Sequence, residues 1–167
     1  VVEAVGYEPD GVADFTVMSI LMAIRHTVAV IGSVGRHDFR LGVRGRDLRD
    51  LTVGVVGAGR IGRAVVRRLH GFGCRVLVTT RGPAAGLGAA RRVPLDGLLE
   101  ASDVVTLHVP LDQATRHLIG TEQLARMKRG AVLVNTGRGA VVDTGALLDA
   151  LDSGRLGGAA LDVLEGE

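Results

Sequence analysis

The sequence predicts an α/β fold built on a doubly wound parallel sheet. Three observations lead there. Short apolar runs alternate with stretches of helical periodicity, a glycine-rich turn links one such run to the helix after it, and the core residues are almost all aliphatic. Apolar residues make up 47% of the 167, with one Tyr, three Phe and no Trp. The interior must therefore be assembled from Val, Leu, Ile and Ala, which suit parallel strands covered on both faces.

Asp10 suits a helix N-cap. Behind it Val12, Phe15, Ile20, Leu21, Ile24, Val28 and Ile31 recur at helical spacing, which predicts one long helix over 11–36. The charged, Gly-rich stretch RHDFRLGVRGRDLRD, 36–50, suits a connector. Strands are expected at 52–56, 75–79, 103–107, 131–135 and 157–163, and helices at 60–70, 96–101, 121–128 and 143–153. Strands that alternate with helices in this way make right-handed crossovers and hence a parallel sheet. Gly154 falls where a helix C-terminus takes a left-handed residue. No internal repeat or low-complexity segment breaks the pattern.

A chain of 167 residues can bury one ordinary core. The net charge is only +2, and Arg residues are scattered among Asp and Glu with no basic stripe or aromatic platform, which argues against a nucleic-acid partner. Cys74 stands alone, so no internal disulfide forms, and a reducing cytoplasm is the expected location. No run approaches the ~20 apolar residues that span a bilayer, and no signal peptide is visible. No membrane partner is expected. The chain starts VVEAVGYEPD without Met and stops at LDVLEGE without a closing element, which reads as an internal segment of a longer protein.

Gly57-Ala58-Gly59-Arg60-Ile61-Gly62 follows an expected strand and opens an expected helix. That context gives G-x-G-x-x-G its meaning: Gly57 for the tight turn, Gly59 for close backbone approach to a pyrophosphate, and Gly62 for helix–strand packing. A dinucleotide is the expected ligand and the fold is of Rossmann type. About 20 residues on, the motif calls for an acid that accepts hydrogen bonds from the adenosine ribose. This chain has Thr80 followed by Arg81. A carboxylate would repel a 2′-phosphate, whereas a hydroxyl beside a guanidinium would accept one. The cofactor is therefore expected to be NAD(H) or NADP(H), with a leaning towards NADP(H) or dual use.

The stretches RHDFRL, LRDLTVGVVGAGRIG, TLHVPL, NTGRG and ALDVLEGE resemble the D-isomer-specific 2-hydroxyacid dehydrogenases over nearly the whole chain. RHDFRL, GFGCRVL and the EGE ending are similar to the D-lactate dehydrogenase branch, and most of all to its members from glycopeptide (vancomycin) resistance clusters. The resemblance implies reduction of a 2-keto acid such as pyruvate to a D-2-hydroxy acid by a nicotinamide cofactor. It divides the chain into an interdomain segment with the long helix, 1–40, and a nucleotide-binding domain, 41–167, with most of a substrate domain lying elsewhere. The helix over 11–36 would supply much of a homodimer interface.

Carried over position by position, the resemblance makes Arg138 of NTGRG the residue that holds the substrate carboxylate, a task suited to a two-pronged guanidinium. Glu167 corresponds to a catalytic glutamate that pairs with a histidine further along the chain, so the segment alone is expected to be inactive. Asp162 would face the nicotinamide carboxamide. Arg60 and Ile61 would meet the pyrophosphate, Val109, Pro110 and Thr115 would border the cofactor path, and Thr136, Gly137 and Arg138 would reach the nicotinamide end. Tyr7 corresponds to a tyrosine of the substrate cleft. His108 ends a strand at the ligand edge and is the one alternative proton donor, while His26, His37, His70 and His117 are expected to be solvated or capping residues. No metal site is expected. Two other functions fit the same motifs: a dehydrogenase of glycerate, glyoxylate or phosphoglycerate type, and a dinucleotide-sensing, corepressor-like protein.

Overall fold

Residues 9–38, 42, 44–83 and 86–166 are described by the computed structural model. In chain order the elements are helices α1 (Pro9–Ile24) and α2 (Thr27–Gly35), strand β1 (Thr52–Val56), α3 (Arg60–Gly71), β2 (Arg75–Thr79), β3 (Arg91–Arg92), α4 (Leu95–Ala101), β4 (Val104–Leu107), α5 (Thr121–Arg126), β5 (Ala131–Asn135), α6 (Thr144–Asp152) and β6 (Leu156–Leu161). The strands form one sheet in the order β3-β2-β1-β4-β5-β6, and every pairing is parallel. The chain winds outward from β1 to β3, then crosses back to lay β4 on the other side of β1. This reversal opens a crevice beyond the carboxyl ends of β1 and β4, where doubly wound sheets bind ligands. The expected Rossmann-type sheet is the observed one.

Alternation along the strands explains the two-sided core. Val53, Val55, Val76, Val78, Val104, Val132 and Val134 face α1 and α3. Val56, Leu77, Val105, Leu107 and Leu133 face the layer of α4, α5 and α6. Successive side chains of a strand point to opposite faces, so continuous apolar runs are what two covering layers require. At Gly54 the closeness is extreme, because a Cβ there would overlap the Leu98 side chain of α4.

Two expectations are corrected. The single helix over 11–36 is two helices that meet at a 64° bend. His26 adopts the left-handed φ of 53°, which ends the hydrogen-bond ladder of α1. The break frees the Ile24 carbonyl to accept from the Arg46 amide at 3.0 Å and lets Arg25 pair with Asp47 at 3.0 Å, so the connector docks there. Asp10 lies in the first turn of α1 rather than capping it, and its carboxylate pairs with Arg68 of α3 at 2.9 Å. The buried residues of α1 are Ala13, Thr16, Val17, Ser19, Ile20 and Ile24, while Phe15, Val28 and Ile31 of the expected stripe are exposed.

The second correction is a strand the periodicity did not show. β3 is two residues long, and it pairs Arg91 with Leu77 and Arg92 with Val78. Two exposed arginines on a sheet edge carry no apolar pattern, and they protect that edge from further pairing. No single helix among the described residues is long and apolar enough to cross a membrane.

Candidate active site

The β1–α3 turn forms the floor of the site. Gly57 has a φ of 96° and its amide donates to the Thr79 carbonyl at 2.8 Å, tying the turn to β2. A Cβ on Gly62 would overlap the Gly57 carbonyl, so α3 packs on the turn with no space to spare. Gly59 differs: a Cβ there would meet nothing within 4 Å, which leaves open room above the start of α3. The first intrahelical bond of α3 runs from the Arg63 amide to the Gly59 carbonyl. The amides of Arg60, Ile61 and Gly62 precede it and point out of the helix, at the positive end of its dipole. An open seat rimmed by such amides fits a diphosphate.

A cavity of about 530 Å³ continues from this seat and gathers Gly57, Gly59, Thr80, Arg81, Val109, Pro110 and Thr115. Val56, Leu95 and Leu118 add apolar wall, which suits a flat base above a polar sugar. The Thr115 hydroxyl has the Pro110 carbonyl at 2.6 Å and the Asp112 carboxylate at 3.0 Å as acceptors within reach and accepts from the Asp112 amide at 2.8 Å, so it folds the 110–115 loop into one piece.

Around Thr80, where the glycine motif calls for an acid, the surroundings are more basic than the motif indicated. The Thr80 hydroxyl accepts from the Gly82 amide at 3.2 Å, and the Thr80 carbonyl accepts from the Arg92 guanidinium at 2.8 Å. Arg81 is exposed and reaches Asp112 at 3.4 Å. The Asp112 carboxyl is held below the usual range, first by its hydrogen bond with Thr115 and also by Arg81. Arg92 is a residue that sequence reasoning passed over. Only an isolated Arg-Arg pair marked it.

A second group stands at the same sheet edge, beside the cavity rather than lining it. The NTGRG loop leaves β5 at Asn135, whose buried side chain donates to the Arg138 carbonyl at 3.0 Å and accepts from the Gly137 amide at 3.1 Å. This brace fixes the backbone on which the exposed Arg138 stands. A Cβ on Gly137 would lie 3.4 Å from the Leu107 carbonyl and 3.7 Å from that of Val109, so the loop abuts the end of β4 that borders the cavity. The Thr136 hydroxyl is buried against that of Thr16 of α1 at 2.9 Å. Asp162 is exposed, and its amide donates to the Asn135 carbonyl at 2.9 Å, which holds the end of β6 to β5. Asn135 itself was not singled out from the sequence. Tyr7 and Glu167 lie outside the described residues.

His108 does not suit a proton donor. Burial pushes its imidazole down to about 4, so it is neutral near pH 7, and its Nε2 lies 3.0 Å from the Thr106 hydroxyl. Its backbone packs against Gly57, where an added Cβ would meet the His108 carbonyl. His117 is exposed, as expected, and it also pairs with Glu165 at 2.7 Å. Among the described residues no group of three or more His, Cys, Asp or Glu could hold a metal ion.

The sequence profile "D-isomer specific 2-hydroxyacid dehydrogenase, NAD binding domain" matches residues 17–167. The chain is 59% identical to a "D-specific alpha-keto acid dehydrogenase" of Enterococcus faecalis, over 99% of this chain and 51% of that protein. It is 46% identical to a "Glyoxylate reductase" of Korarchaeum cryptofilum, over 93% of this chain and 49% of that protein. The crystal structure of a D-lactate dehydrogenase from Aquifex aeolicus, complexed with NAD and lactic acid, superposes with a TM-score of 0.93 at 38% identity, over 96% of this chain and 50% of that one. The chain thus spans about half the length of the curated relatives it matches. With that profile matching residues 17–167, the chain belongs to the D-isomer-specific 2-hydroxyacid dehydrogenase family and comprises its NAD-binding domain.

Proposed function

We propose that the full-length protein is a cytoplasmic, homodimeric D-2-hydroxyacid dehydrogenase that reduces pyruvate to D-lactate, the building block of D-Ala-D-Lac cell-wall precursors. The supporting observation is the braced NTGRG loop. It stands an exposed guanidinium at the carboxyl edge of the sheet, on a loop that abuts the end of β4 bordering the cavity. A relative named D-specific alpha-keto acid dehydrogenase supports the keto acid as substrate. The one named glyoxylate reductase makes glyoxylate the rival to test.

A bound reduced dinucleotide supplies the hydride. Arg60, Ile61 and Gly62 hold its pyrophosphate through their amides, Val109, Pro110 and Thr115 line its path, and Thr136, Gly137 and Asp162 serve its nicotinamide end. Arg138 grips the substrate carboxylate with two parallel hydrogen bonds and so presents the carbonyl carbon to the ring. Tyr7 borders that substrate cleft. Glu167 orients a histidine that lies beyond residue 167 and raises its pKa, so that the imidazolium can protonate the carbonyl oxygen. The absence of an acid at Thr80, with Arg81 and Arg92 beside it, supports use of NADPH. The segment 1–40, of which residues 1–8, 39 and 40 lie outside the described residues, is assigned to the link between two domains, and the exposed Phe15, Met18, Val28, Ile31 and Val34 of α1 and α2 supply the dimer face.

The test is steady-state kinetics of the full-length protein with pyruvate and with glyoxylate, each against NADH and NADPH. Replacement Arg138→Gln is expected to remove about 2–5 kcal/mol of transition-state stabilisation, read as kcat/KM. A wild-type protein that reduces neither acid would refute the reading. Sedimentation of the same preparation checks the dimer.

A further inference from the structure

Three features meet on the far side of the NTGRG loop. Residues 117–119 run parallel to 140–142: the His117 amide donates to the Ala140 carbonyl at 2.8 Å, the Ile119 amide to the Val141 carbonyl at 3.1 Å, and Ile119 bridges Val142. The backbone of Leu164 and Glu165 lies directly on Gly139, where a Cβ would overlap it. The Glu165 carboxylate closes the circuit. It accepts from Arg116 at 3.2 Å and from His117 at 2.7 Å. His117 has a left-handed φ of 51°, a conformation uncommon for a residue with a side chain.

Resting on the proposed function, we infer that Arg116, His117 and Glu165 form an ionic clamp that positions Arg138 for the keto acid. The clamp presses the 164–165 backbone onto Gly139, the residue next to Arg138, while Asn135 braces the same loop through the Arg138 carbonyl. Gly166 follows with a φ of 99°, so the chain turns sharply once Glu165 is fixed. The Glu165 carboxyl is held below the usual range, first by the hydrogen bond with His117 and then by the charges around it, which keeps it anionic. The partners are partly solvent-exposed, and exposed ion pairs contribute little to folding stability. What such a clamp supplies is placement. None of the three residues lines the dinucleotide cavity, so cofactor affinity is separable from it.

The experiment uses the full-length protein and reads kcat, KM for pyruvate, the Kd for dinucleotide by fluorescence titration, and Tm. Replacement Glu165→Ala is expected to lower kcat/KM about 10–100-fold, mainly through a higher KM for pyruvate, as expected of a small misplacement of a binding group. Dinucleotide Kd and Tm stay at wild-type values. The conservative His117→Gln, which keeps a donor for the carboxylate, retains most of the activity. Adding Arg116→Ala to Glu165→Ala costs nothing further. Wild-type KM in Glu165→Ala, or a loss that follows Tm or dinucleotide Kd, overturns the clamp alone. A wild-type protein that reduces no 2-keto acid overturns the clamp and the proposed function together.

Discussion

The hydroxyl of Thr16 on α1 lies 2.9 Å from that of Thr136 in the NTGRG loop, and both side chains are buried. The Thr16 proton is committed to the Val12 carbonyl at 2.8 Å, so Thr136 must be the donor between them. The first helix therefore holds the loop that carries Arg138. Replacing Thr16 with Val keeps the shape but leaves the Thr136 hydroxyl without an acceptor. The expected cost is about 1–3 kcal/mol. At roughly 2–4 °C per kcal/mol, calorimetry should show a Tm lower by several degrees, and Thr16→Ser should restore it.

The glycine turn makes a paired prediction, because two of its glycines serve different ends. Gly59 has extended backbone and open space where a Cβ would go, so Gly59→Val should fold normally. It should nevertheless fill the pyrophosphate seat and abolish dinucleotide binding. Gly62→Val collides with the Gly57 carbonyl and should lower stability by about 1–3 kcal/mol as well as binding. Tm and dinucleotide titration on both variants decide the matter. Retained binding in Gly59→Val would move the diphosphate elsewhere.

Much of this arrangement was legible in the sequence where local pattern and burial agree. The bounds of β1, β2 and β5 follow from Val-rich runs that are covered on both faces, and Gly154 takes the left-handed φ of 63° expected after α6. The break at His26 was not legible, because Arg-His carries no Pro or Gly and the bend serves a distant connector. β3 hid behind two arginines, and Arg92 with it. His117 was read as solvated or capping and Glu165 only as part of the EGE ending, for another reason: their meaning lies in a contact between residues 48 positions apart, which no local period reports.

His108 gives the fold a pH dependence. Its folded pKa is depressed from 6.5 to about 4 by burial. Between those values the unfolded chain binds a proton that the folded chain refuses, so stability falls as pH drops through this window and is unaffected above it. At about 1.4 kcal/mol per unit the whole window is of the order of 3 kcal/mol. Chemical denaturation at pH 7 and at pH 5 should show wild type losing stability, with a smaller loss in His108→Gln. Equal losses in the two proteins would assign the effect to other groups.

The proposed cofactor preference rests on the charges that surround Thr80. Its carbonyl is bound by Arg92 and its neighbour Arg81 spans to Asp112, so two guanidinium groups stand near the residue that takes the place of the motif's acid. A 2′-phosphate arriving there would compete with Asp112 for Arg81, whose side chain is 71% exposed and pays little to change partner. The full-length protein is therefore expected to use NADPH at least as well as NADH. Arg81→Ala and Arg92→Ala should each raise the KM for NADPH about tenfold, equivalent to ~1.4 kcal/mol, while leaving that for NADH almost unchanged. Thr80→Asp should reverse the preference by repulsion. Because the attraction is between exposed charges, the NADPH advantage should also shrink as salt rises from 0.01 to 1 M, over which the screening length falls from about 30 to about 3 Å. A strong wild-type preference for NADH, insensitive to salt and to either arginine, would instead mean that the Thr80 hydroxyl alone holds the ribose and that Arg81 belongs to Asp112.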